Sequence, residues 1–114
     1  MITTEKKAPA LPVGRIPRIS RLMALAHHLE HLVVSGQVKD YAELARLGHV
    51  SRARITQIMN LLLLAPDIQE EILHFPASPV GRDTLSERNL RPIAAEISWP
   101  KQRRRWGSKL TQGT

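Results

Sequence analysis

From Ile19 onward, apolar residues recur at helical spacing: Ile19, Leu22, Met23, Ala26, Leu29 and Val33, with Leu25 and Leu32 widening the stripe. The pattern predicts an amphipathic helix that opens near Pro17 and stops at Ser35-Gly36, where glycine accepts a left-handed turn. Asp40 then suits the cap of a second, short helix, with Glu43 at the capping-box position. Leu44 and Leu47 supply its apolar contacts, and Gly48-His49-Val50 ends it after two turns. Ser51 is a strong cap for a third helix over about 52–63, with Ile55, Ile58 and Leu62 as its buried stripe.

Pro66 and Asp67 open a fourth helix through about Leu73, with Ile68 and Ile72 inward. Residues 75–83 contain two prolines and a glycine and read as a loop. Thr84 to Glu87 has capping-box spacing, so a fifth helix is expected from Thr84 to about Ala95, kinked or shortened by Pro92. Ser98 through Arg105 adds a last turn or two, begun by Pro100 and stopped by Gly107. No segment has the alternation of a strand. The fold class is therefore all-α, a small helical domain over 16–98 around a helix-turn-helix at about 40–63. Residues 1–15 are expected to be a flexible arm, and 99–114 a basic tail or short helix.

Charge changes this picture from fold to partner. The 114 residues carry 17 Lys or Arg against 10 Asp or Glu, a net charge of +7. Residues 1–29 hold +4, 30–96 hold −2 and 97–114 hold +5. Cationic ends around a weakly acidic middle favour an anionic partner. Arg outnumbers Lys by 12 to 5, which suits forked contacts with phosphate and guanine. Zero cysteine excludes disulfides, thiol catalysis and Cys-containing zinc sites. The longest apolar run, Leu61 to Ala65, is far short of the ~20 residues of a membrane span, and no signal-peptide core is seen. A cytoplasmic, nucleoid-associated protein without membrane contact is expected. Aromatics are sparse at 4%, which disfavours a stacking platform for single strands or RNA.

The second and third helices meet the demands of a helix-turn-helix. Ala45 is small where the two would cross, Val50 is expected to point inward from the turn, and Ile55 and Ile58 anchor the second element. With Leu44 and Leu62 these form the expected motif core. On a helical wheel the opposite face carries Ala53, Thr56, Gln57 and Asn60, flanked by Arg52 and Arg54. No acidic residue falls between Ser51 and Leu64, as a surface facing phosphates requires. Arg52, Thr56, Gln57 and Asn60 are the candidate base readers, and Ala53 permits close approach. Ser51, Arg54, Lys101, Arg103, Arg104 and Arg105 are the candidate phosphate ligands, with Trp99 or Trp106 anchoring the basic run. The same polar face would also suit an ordinary solvated helix.

The stretch from Tyr41 to Leu73 resembles the central DNA-binding domain of partition proteins of the ParB/KorB type. Leu44-Ala45, Ser51-Arg52, Ile55, Leu61-Leu62, Ala65-Pro66, Ile68 and Leu73 match that family's pattern. Leu85 to Gln102 is similar to its next helix, which opens with a Ser/Thr–Glu pair and carries an arginine. The resemblance covers about half of the chain and implies a sequence-specific double-stranded DNA-binding module of a mobile element. Its role would be in regulation, partition or recombination. The family's nucleotide-binding and dimerisation domains are not expected in this length. The family's turn glycine falls where this chain has His49, so either His49 is left-handed or the turn is one residue longer.

Other chemistry is weakly represented. His27, His28 and His31 cluster, but lack the Glu of a zincin pattern, so no metal or other cofactor is expected. Ser35, Ser51, Ser78, Ser86, Ser98 and Ser108 lack a nucleophile-elbow context, and Glu70-Glu71 reads as helix surface, so no catalytic set or small-molecule substrate emerges. Paired DNA half-sites would call for a homodimer. The alternative readings are a protein-interaction adaptor with secondary DNA contact, and a basic RNA-binding module.

Overall fold

The computed structural model describes residues 16–76 and 85–112. The expected arm over 1–15, most of the expected loop over 75–83, and the Thr84 cap lie outside the described residues. Among the described residues six α-helices follow in order: α1 Arg18–Val34, α2 Tyr41–Gly48, α3 Arg52–Met59, α4 Pro66–Leu73, α5 Glu87–Ala94 and α6 Trp99–Gln112. A 3-10 turn, Asn60–Leu63, extends α3, so the helix expected over 52–63 tightens in its last turn. The described residues contain no strand, and the fold is all-α.

Local sequence sets most of the ends. Pro17 precedes α1, and Gly36 lies just beyond it at φ 82, where a Cβ would be strained. Asp40 accepts from the Glu43 amide at 3.0 Å. Glu43 reaches back one residue further than a capping box does, to the Lys39 amide at 2.7 Å. Pro66 stands at the first position of α4, with Asp67 in its first turn.

Two clusters make the core. The larger joins Ile19 and Met23 of α1, Leu61, Leu64 and Ala65 of the connection, Ile68 and Ile72 of α4, Leu85, Leu90 and Ile93 before and within α5, and Trp106 of α6. Side chains buried as fully as Met23, Ile68 and Ile72 each contribute ~1.5–3 kcal/mol of transfer free energy. The smaller cluster joins Val38, Leu44, Ala45, Ile55 and Met59, and Leu62 packs against both.

Two segments depart from the sequence reading. The cap of α5 is Ser86, two residues beyond Thr84: its amide donates to Asn89 Oδ1 at 2.8 Å. Pro92 lies inside α5, which ends two residues later. The last segment is the helix of the two alternatives, but it is longer than the expected turn or two: α6 runs 14 residues and continues through Gly107. Tertiary packing outweighs the ~1 kcal/mol that a helical glycine costs. Trp106 is buried, stacks on Phe75 at 5.8 Å and donates through Nε1 to Glu71 at 3.1 Å.

Candidate nucleic-acid interface

The α2–α3 unit is built from the smaller cluster. Leu44, Ala45, Ile55 and Ile58 are buried, as their spacing predicts, and Leu62 is half-buried between the two clusters. His49 resolves the turn: it is left-handed at φ 56, ψ 40. Its amide donates to Arg46 O at 3.3 Å and that of Val50 to Ala45 O at 3.1 Å, the paired bonds of a Schellman closure. The turn is therefore closed by His49 in the left-handed role usually given to glycine.

Val50 does not point inward. It is 44% exposed and joins neither cluster, because the closure spends its backbone on α2 and leaves its side chain at the surface. Leu47 is likewise exposed rather than in contact with the core. Val38 and Met59 fill the space instead. The Met59 position was legible, since it lies four residues after Ile55; Val38 sits in an irregular linker that periodicity does not cover.

Ser51 caps α3 by accepting from the Arg54 amide at 3.0 Å. Beyond it, Arg52, Ala53, Thr56, Gln57 and Asn60 are all exposed and form one acid-free stripe. Arg54 stands apart from this stripe. Its Nη1 donates to Glu87 Oε2 at 2.6 Å and to Gln57 Oε1 at 3.2 Å. Glu87, on the first turn of α5, also receives Arg91 Nη2 at 3.4 Å. Burial pushes the Glu87 carboxyl up, but the Arg54 and Arg91 guanidiniums outweigh it and hold it below its ordinary value. A charge so placed makes Arg54 a strut between α3 and α5 before it is anything else. Beside it, Gln57, Asn60, Leu61, Leu63, Arg91, Ala94 and Ala95 line a shallow depression of about 220 Å³.

The other candidate phosphate ligands lie on α6. Arg103 forks onto Asp67, with contacts of 3.0–3.3 Å, and its hydrogen bonds hold the Asp67 carboxyl below its ordinary value. Arg105 stands 3.7 Å from Glu96. Lys101 and Arg104 are exposed, with no ion pair among the described residues. Of the two tryptophans, Trp106 is the anchor and Trp99 is exposed.

One functional-looking side chain was missed altogether. Gln102 is 1% exposed: its Oε1 accepts from the Ala65 amide at 2.8 Å, and its Nε2 donates to Glu96 O at 2.8 Å and Leu63 O at 3.1 Å. It ties the start of α4 to the start of α6. Nothing in a sequence marks one glutamine in a basic run as the buried one.

His27, His28 and His31 are exposed on α1. Among the described residues no three His, Cys, Asp or Glu side chains converge as a metal site, and no helix is long and apolar enough to cross a membrane. Comparison with family models, curated proteins and solved structures found no match.

Proposed function

We propose that the chain is a sequence-specific double-stranded DNA-binding protein, with α2 and α3 as a helix-turn-helix of the ParB/KorB-like kind and α3 entering the major groove. The observation that carries this reading is the stripe on α3. Five exposed residues, none acidic, lie on a short helix and the first residue of its 3-10 extension, and the Ser51-capped N-terminus is unobstructed by any carboxylate of its own element. Arg52, Thr56, Gln57 and Asn60 offer the donors and acceptors that base edges require, and Ala53 clears space for approach. Ser51 and the first-turn amides of α3 suit a phosphate oxygen. Lys101 and Arg104 supply the uncommitted charge on α6 for backbone contact. A nucleoid-associated regulator, or a partition or recombination factor, is the role this would serve.

The test is selection from a randomised duplex pool at low salt with competitor RNA. One enriched motif, relaxed at a contacted position by Arg52→Ala or Gln57→Ala by ~1–3 kcal/mol, supports the reading. Gln at both Lys101 and Arg104 should flatten the salt dependence of binding. Absence of duplex binding refutes the reading. It would favour the adaptor instead, which would dock a partner through the weakly acidic middle and the exposed His27, His28 and His31 of α1.

A further inference from the structure

Glu87 is an acid set against the one face that the proposed function keeps free of acids. Its side chain is 17% exposed, and it contacts Arg54 of α3 and Arg91 of its own helix. A carboxylate there would repel phosphates, so its presence calls for a role that its charge performs within the protein. The bond lengths indicate one. Glu87 takes Arg54 Nη1 at 2.6 Å, and the same nitrogen donates to Gln57 Oε1 at 3.2 Å. Arg54 is therefore held beside Gln57 instead of ranging freely over the surface. The Gln57 carbonyl already accepts one hydrogen bond, while both Nε2 hydrogens remain unused among the described residues.

We propose that Glu87 is a positioning residue for base reading. By holding Arg54 against Gln57, it makes the Gln57 amide present its N–H donors to the base edge. This rests on the DNA-binding reading above and adds a preference to it. An amide that leads with N–H favours an acceptor in the major groove, such as guanine N7 and O6 or thymine O4. It disfavours the exocyclic amine of cytosine, which presents only a donor. Glu87 also withholds Arg54 from the backbone, exchanging one phosphate contact for selectivity.

The two effects have opposite signs in one variant. In Glu87→Ala, Arg54 is released, so non-specific duplex binding should strengthen and the salt slope should steepen by up to ~0.9, the value for one added phosphate contact. At the same time, discrimination at a single base pair should fall about tenfold. Arg54→Ala should lose discrimination at that same base pair without steepening the slope. The double variant should lose no more discrimination than either single one, because the two residues act in series.

The experiment is selection of the parent and these three variants on a randomised 25-base-pair duplex pool, with thermal melts to verify folding. Arg54→Ala, at a half-exposed position, keeps the test available should Glu87→Ala fold poorly. An unchanged motif in Glu87→Ala and Arg54→Ala overturns the inference while leaving the DNA-binding reading intact. So does a uniform loss of affinity at every position, which is what a purely structural strut would give. A parent chain that enriches no motif overturns the underlying reading, and this inference with it.

Discussion

Replacing Gln102 by Ala should be among the most damaging single changes in the domain, although the residue lies in a run of exposed cations. Its amide serves three backbone groups at 2.8–3.1 Å. The Ala65 amide is fully buried and would be left without an acceptor, at a cost of ~1–3 kcal/mol. The Leu63 and Glu96 carbonyls are part-buried and can be partly rehydrated, so each forfeits ~0.5–1 kcal/mol. The sum is roughly 2–5 kcal/mol, a large share of the ~5–15 kcal/mol that holds a domain together. With about 90 described residues and ~2 cal/mol/K of unfolding entropy per residue, Tm should fall by roughly 10–25 °C. Circular dichroism at the helical minimum is the assay. Gln102→Glu sharpens it. A carboxylate can accept from Ala65 but cannot donate to the two carbonyls, so its native pKa would rise above the unfolded value of ~4.3. The native protein would then be favoured below that unfolded value and lose stability as pH climbs through the raised native one. A Gln102→Ala melt within about 5 °C of the parent would refute the three-bond account.

Ser51→Ala should cost ~1 kcal/mol by removing the cap on Arg54 N. Ser51→Asp should keep the melt, since Asp caps equally well, yet weaken duplex binding by like-charge repulsion; a melt drop in both variants would show that the cap is not what matters. His49→Gly should stabilise by ~0.5–1 kcal/mol, because glycine takes φ 56 without strain. His49→Val should destabilise, and a loss of stability with glycine would refute the strain argument. Asp67→Asn should lower stability slightly at neutral pH. Arg103 depresses the native Asp67 pKa, so that contribution is fully present above the unfolded value and is lost as pH falls through the lower native one. Parent and variant melts should therefore converge in acid, and a gap that widens there would contradict the assignment.

The elements that could be read from sequence are those fixed within one or two turns. Asp40 and Ser51 announce helix starts because the amides they accept from lie three residues away, and Pro66 because its own ring fixes a helical φ and lacks an N–H. The stripes of α1, α3 and α4 follow from periodicity for the same reason. What escaped was settled at long range. The extent of α6 depends on Trp106 meeting Phe75 and Glu71, more than thirty residues earlier. Arg54 looked like a phosphate ligand because Glu87, 33 residues on, is invisible to a helical wheel. Thr84 and Ser86 are both good caps, and the choice of Ser86 rests on Asn89 as well as on where Leu85 is buried.

Leu62 packs against both apolar clusters. The smaller cluster has few fully buried members, so the α2–α3 unit would be expected to open more readily than α4 and α5 if it stood alone. A side chain shared between the two seams couples their fates: loosening one withdraws packing from the other. The element proposed to meet DNA thus borrows rigidity from the scaffold through Leu29, Leu32 and Val33 of α1, through the Arg54–Glu87 pair, and through Leu62, which alone of these packs against both clusters. That position is where a conservative change in shape would alter cooperativity of unfolding before it altered any surface that a ligand could touch.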